Sequence, residues 1–208
     1  MWWKYASFFL TGMLSLQNTQ PNPPAMHFTP TTITTERLTL RWFTPADAEG
    51  LFAIFSDPAV VRYWSCAEWT DMAHARTMIE DTLAAYQSGD GVRLAVMLTA
   101  TGQMVGQINL HHMFHSNRRC EVGYALAQAH WGKGYISEAL EAAFDYAFGT
   151  LDLNRIEADI DPRNEASRKI LQRLAFSKEG YMRERWIVHG EVCDTEFFGL
   201  IKSDWETR

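Results

Sequence analysis

Two glycines two residues apart, Gly132 and Gly134, stand between a stretch that alternates like a strand and a stretch whose apolar residues recur like a helix. No other junction constrains the chain as much. On its far side Ile136, Ala139, Leu140, Ala143, Phe144, Ala147 and Phe148 recur at steps of three and one, which puts them on one face of a helix that must be buried. A strand running through a glycine-rich turn into such a helix belongs to a layered fold of sheet and helices. Without Cβ atoms, glycines at i and i+2 let main-chain N–H groups come close to an anion. The helix start adds unpaired N–H donors and the positive end of its dipole. The segment Trp131, Gly132, Lys133, Gly134, Tyr135, Ile136, Ser137 therefore reads as a tight strand-to-helix turn, or as a cradle for a phosphate or diphosphate. It is not a Walker A loop, and Ser137 occupies the place of the third glycine of a dinucleotide fingerprint. Nucleotide hydrolysis and dinucleotide binding fit it poorly.

The rest of the chain is consistent with that layering. Arg37-Leu38-Thr39-Leu40-Arg41-Trp42 alternates as a half-buried strand does, and Thr44-Pro45 has the chemistry of a helix start. Leu51, Ile54 and Phe55 follow at helical spacing, Asp57-Pro58 interrupts, and a second helix is predicted over 72–86. Strands are predicted over 92–100 and 104–110 around a Thr101-Gly102-Gln103 turn, then over 119–127, and again over 155–161 after the helix at 135–148. A helix over 165–174 and a long hairpin around His189-Gly190 complete the pattern. The expectation is a mixed α/β (α+β) fold with a central, mostly antiparallel twisted sheet of about seven strands, flanked by about four helices.

With 208 residues, 47% apolar and 21% charged, the chain is long enough for one domain with its own core and needs neither disulfides nor a structural metal. Residues 27–208 are read as that domain. Residues 1–26 are aromatic and apolar, then polar and proline-rich; they read as a flexible N-terminal extension, with Met26 a second candidate start. Their apolar stretch is too broken and too short for a bilayer span and has no small-residue cleavage site. Three scattered cysteines, Cys66, Cys120 and Cys193, suit a reducing, cytoplasmic setting. A net charge of −6 argues against a nucleic-acid partner, and no membrane partner is expected.

Several motifs in fixed order carry a family resemblance: Glu121-Val122-Gly123-Tyr124, Trp131-Gly132-Lys133-Gly134-Tyr135, Glu138-Ala139, Asn154-Arg155-Ile156-Glu157-Ala158, and Asp161-Pro162-Arg163-Asn164-Glu165-Ala166-Ser167. With Thr35-Glu36-Arg37-Leu38 before them and Gly180-Tyr181-Met182-Arg183 and Asp194 after, they resemble the GNAT superfamily of N-acetyltransferases over residues 33–203, and within it the RimJ/RimL-like ribosomal-protein N-terminal acetyltransferases. The resemblance implies an acetyl-CoA co-substrate and no metal. The main chain of Ala125, Leu126 and Ala127 would hold the pantetheine arm, and the turn from Trp131 to Ser137 the diphosphate. It also implies that Asn164 contacts the cofactor near the thioester, whereas its position before a helix equally suits an N-cap. Two positions depart from the family pattern: Ile136 where Gly or Ala is commonest, and Ala175-Phe176 where Gly-Phe is usual.

Acyl transfer from a thioester to an amine needs a neutral amine, donors for the developing oxyanion and a proton for the thiolate. The Tyr many GNAT enzymes use for that proton is replaced by Leu171; Ser167, one helical turn earlier, resembles the Ser of the RimJ/RimL-like branch, though it could be a Ser tucked into a first turn. Glu121 is the first candidate base, pointing away from Val122 and Tyr124 to a cleft or to solvent, with Glu157 and Asp159 behind it. His111, His112 and His115 are expected to edge a strand end without binding a metal, because adjacent strand residues face opposite ways. Trp42, Trp64, Trp69 and Trp186 are expected in the core or on cleft walls. The acceptor implied is a protein N-terminal amine, with a small-molecule amine (polyamine, amino acid or aminoglycoside) next and a non-catalytic CoA sensor as a rival; a monomer and a homodimer are both compatible with the sequence.

Overall fold

The computed structural model describes residues 28–188 and 190–208. The expectations for residues 1–26 and for His189 fall outside that range. Eight strands form one sheet: β1 (Thr32–Thr34), β2 (Leu38–Trp42), β3 (Val92–Leu98), β4 (Met104–Phe114), β5 (Arg119–Leu126), β6 (Arg155–Ile160), β7 (Ser177–Val188) and β8 (Glu191–Ile201). Their spatial order is β1-β2-β3-β4-β5-β6-β8-β7, antiparallel throughout except for the parallel β5–β6 pair. The helices are α1 (Ala48–Phe55), α2 (Pro58–Val61), α3 (Met72–Ser88), α4 (Tyr135–Gly149), α5 (Glu165–Arg173) and α6 (Lys202–Glu206). The predicted hairpins, the glycine turn and the four main helices are all present. The eighth strand is β1, three residues too short for an alternation to be legible. The short α2 is capped by Asp57, whose carboxylate accepts from the Ala59 amide at 2.9 Å, and α6 seats Trp205 against Phe144 and Phe148.

The sheet divides two cores. Leu38, Leu40, Leu94, Ile108, Val122, Leu126, Ile156 and Ala158 pack with α4 and α5 on one face. Ala95 and Ala125 pack with α1, α2 and α3 on the other. Strand alternation follows from this: Val122 and Tyr124 belong to the α4–α5 face, Glu121, Gly123 and Ala125 to the α1–α3 face.

Pairing between β5 and β6 stops early. It runs Arg119↔Arg155, Cys120↔Ile156, Glu121↔Glu157 and no further, while β5 continues to Leu126 on β4 and β6 to Ile160 on β8. Beyond Glu121 the two strands diverge and open a gap through the middle of the sheet, between the two helical layers.

Candidate active site

The glycine turn lies at the C-terminal end of β5, on the α4 side of that gap. Gly132 and Gly134 adopt φ of +73° and +79°, a region other residues avoid. A Cβ at Gly132 would meet nothing within 4 Å, so the loop surface there is open. Gly134 precedes α4, and its carbonyl accepts from the Glu138 amide at 3.1 Å. The amides of Tyr135, Ile136 and Ser137 are thereby the first-turn donors that a helix cannot satisfy itself. Open space, positive φ and free donors together fit a diphosphate. Ile136 packs its side chain into the core and leaves the turn open.

A clamp holds this turn in place. The Glu138 carboxylate accepts from the Thr35 hydroxyl at 2.6 Å, from the Arg37 amide at 2.9 Å and from Arg37 Nε at 2.6 Å. Arg37 Nη1 also donates to the Lys133 carbonyl at 2.9 Å, and the guanidinium lies over the Tyr135 ring. Burial alone would raise the Glu138 carboxyl, but the Thr35 and Arg37 hydrogen bonds outweigh it and hold it below the ordinary carboxylate range. Thr35 and Arg37, in the sequence only a strand opening, and Glu138, a motif position, thus brace the Lys133–Tyr135 backbone.

Of the three residues expected along the pantetheine, one turns its main chain to the gap. The Ala127 amide donates to the Val105 carbonyl at 2.8 Å, toward β4. By alternation Leu126 faces the open side, and its carbonyl is capped by the Trp131 indole N–H at 2.7 Å. Ala125 and Ala127 have their side chains on the α1–α3 face, against that core.

On the α4–α5 face, Asn164 caps α5, its Oδ1 accepting from the Ser167 amide at 3.1 Å. Ser167 is buried, with its hydroxyl 2.7 Å from that of Tyr124. Burial pushes the Tyr124 hydroxyl up to about 12, against the pull of the Ser167 hydrogen bond, so it stays protonated. Sequence reading passed over Tyr124 as a functional group; its even-numbered place with Val122, on the face opposite Glu121, was the available signal. Ala175 takes φ +66°, the position glycine would occupy, so the α5 terminus keeps its tight turn with a strained alanine.

Glu121 lies across the sheet from this pair. Its carboxylate is 3.2 Å from His112 Nδ1 and about one-third exposed. Glu157 is held by Arg119 at 2.5 Å and Arg155 at 2.7 Å, and Asp159 accepts from the Trp186 indole at 3.2 Å. Glu121 and Asp159 carry no guanidinium, and of the two Glu121 lies at the point where the strands part. The expectation that His111 and His112 face opposite ways fails. A bulge with φ +50° at His112 breaks the β4–β5 register after His111, and the imidazoles meet edge to face. His111, His112 and Glu121 place their ligand atoms within 4.8 Å of one another, while His115 bonds the Gly89 carbonyl at 2.8 Å. Burial pushes His111 down to about 4, with the His112 and Arg93 charges assisting and Glu121 opposing. It is neutral at pH 7. Trp69 and Trp64 pack on Phe55 and Trp42 stacks on Tyr86, as expected of core residues, but Trp186 is 44% exposed on the terminal hairpin.

Residues 37–177 match the family model described as an acetyltransferase (GNAT) domain. The chain belongs to the GNAT acetyltransferase family. This acetyltransferase is 38% identical over 174 residues to the uncharacterized N-acetyltransferase p20 of Bacillus licheniformis, covering 84% of the chain and 98% of that protein. It is 34% identical over 104 residues to the [ribosomal protein uS5]-alanine N-acetyltransferase of Escherichia coli, covering 50% of the chain and 54% of that enzyme. A solved GNAT acetyltransferase from Bacillus anthracis superposes with a TM-score of 0.75 at 26% identity, covering 83% and 99% of the two chains. The protein is an N-acetyltransferase with the GNAT fold, related to ribosomal-protein acetyltransferases. Among the described residues, no helix is long and apolar enough to cross a membrane.

Proposed function

We propose that this acetyltransferase moves the acetyl group of acetyl-CoA directly to a primary amine, preferably the N-terminal amine of a protein, without an acyl-enzyme. The observation that carries this reading is the gap beyond Glu121 and Glu157, with an anion cradle toward one helical layer and an unencumbered carboxylate toward the other. The kinship with a ribosomal-protein alanine acetyltransferase supports the choice of acceptor. A reducing cytoplasmic setting suits the three free thiols.

In this reading the first-turn amides of α4 and the Lys133 side chain hold the diphosphate, and the main chain about Leu126 guides the pantetheine into the gap. Acetyl-CoA bound there supplies an activated acyl carbon and a thiol leaving group. Glu121 takes the amine proton from the α1–α3 side. An α-amine has a pKa of about 8, so roughly a tenth is already neutral near pH 7 and the base has a light task. Tyr124 and Ser167, hydrogen-bonded on the opposite face, orient and protonate the departing thiolate, and Asn164 fixes Ser167 through its amide.

Thiol release with a peptide beginning in Ser or Ala, compared with spermidine and an aminoglycoside, tests the acceptor; tight CoA binding with no turnover on any amine would replace this reading with a CoA sensor. Ser167→Ala is expected to lower kcat by about a hundred-fold, the lower end of the range for a positioned proton donor. Tyr124→Phe should reproduce most of that loss with acetyl-CoA affinity unchanged, and full kcat in both would remove the pair from the reaction. Asn164→Ala should cost about 1 kcal/mol of stability as a lost cap and also lower turnover at temperatures where the variant is fully folded; wild-type rates there would leave Asn164 a cap alone.

A further inference from the structure

On the α1–α3 face, a cavity of about 530 Å³ lies between α3 and the sheet, within the size range of small-ligand sites. It is lined by Trp69, His74 and Asp81 from the helical side and by Arg93, Asn109 and His111 from β3 and β4. Arg93, Asn109 and Gly123 are in register across β3, β4 and β5, and His111, part of the cavity wall, is paired with Glu121, so the cavity adjoins the candidate base through His111. Gly123 leaves the way open: a Cβ there would meet nothing nearer than His111 Nε2 at 3.8 Å.

Arg93 is out of place in such a wall unless something anionic meets it. It is partly buried, and burial lowers its guanidinium to about 10 even though the Tyr86 and Asp81 charges oppose the shift. Among the described residues no carboxylate lies within ion-pair distance of it; its Nη1 donates to Gln107 Oε1 at 2.5 Å and touches Met78 Sδ at 3.2 Å. Its Nε and Nη2 edge, the fork that grips a carboxylate with two parallel hydrogen bonds, has no partner among the described residues. Gln107, with no exposed surface, has its oxygen on Arg93 and its Nε2 unpaired. A guanidinium edge open to the cavity, backed by a buried amide short of an acceptor, fits a site completed by an anionic ligand.

We propose that Arg93 binds a carboxylate of the acceptor, so that the substrate is a primary amine carrying an acidic group within reach of the amine. This rests on the acetyltransferase reading and deepens it by naming the acceptor's second recognition element. The carboxylate has two sources, an amino acid's own carboxyl group or an acidic side chain near a protein N-terminus, and paired substrates separate them. One arm compares free amino acids with their carboxamides; the other compares peptides beginning Ser-Glu or Ser-Asp with Ser-Gln or Ser-Asn.

The wild-type enzyme should favour the acid over its amide by at least ten-fold in kcat/KM in one of the two arms, through KM more than kcat. Arg93→Met should bring that ratio to about one, and Arg93→Lys should keep part of it. Calorimetric affinity for CoA, whose cradle is on the other face, reports that the variants are folded. Equal rates on acid and amide in both arms, or an undiminished preference in folded Arg93→Met, overturn the proposal while leaving the acetyltransferase reading intact. Failure to acetylate any amine with CoA bound would instead overturn that reading, and this one with it.

Discussion

Replacing Gly134 with valine is expected to weaken acetyl-CoA binding by about a hundred-fold or more. At φ +79° a β-branched residue is a steric outlier, and the left-handed region costs an ordinary L-residue about 1–2 kcal/mol. The new Cβ would lie 3.4 Å from Arg37 Nη2, and the added methyl groups would press on the guanidinium that holds the Lys133 carbonyl. The backbone is relieved by rotating the turn, which takes the Tyr135, Ile136 and Ser137 amides off a common centre. Hydrogen bonds to a charged group contribute about 1.5–3 kcal/mol each. Losing two of them is about 3 kcal/mol or more, or about two decades in affinity. Calorimetric titration with CoA measures this directly, and thermal unfolding checks that the variant is folded. Wild-type affinity in folded Gly134→Val would mean that the diphosphate does not sit on this turn.

Glu121→Gln carries the second effect. Only roughly a tenth of an α-amine is neutral near pH 7, so kcat there is expected to fall by about ten-fold, with acetyl-CoA affinity unchanged. The amide is nearly isosteric and still faces His112. The deficit should shrink as pH rises past the amine's own pKa, about 8 for a protein N-terminus, because the base is then no longer needed. Glu157→Gln is the matched control. It removes the charge and one of the two acceptor oxygens shared by Arg119 and Arg155, and should appear chiefly as lost stability. A full rate in Glu121→Gln with a collapsed rate in folded Glu157→Gln would transfer the base to Glu157.

Much of this architecture was legible because local patterns and long-range packing agree. The three-and-one spacing from Ile136 to Phe148 gives α4, and every residue in that series but Ile136 is buried. Two-residue alternation gives the strands and puts Glu121 and Tyr124 on opposite faces. What stayed hidden depends on pairing between distant segments. The gap beyond Glu121 arises because β6 leaves β5 to follow β8, which no local spacing encodes. The histidine pair was misread because alternation presumes a regular strand, and a single bulge at His112 reverses the facing. The Arg93 cavity was missed for a similar reason: Arg93 in Val92–Leu98 looks like the polar residue of an alternating strand, and only α3 packed over it makes the guanidinium part of a cavity wall.

The break in the β5–β6 ladder has a consequence for traffic through the protein. A donor entering from the α4 layer and an acceptor entering from the α3 layer would each have a separate doorway, meeting only where the two strands part. Neither would have to leave for the other to arrive, and the acetylated product could depart while the spent thiol was still seated.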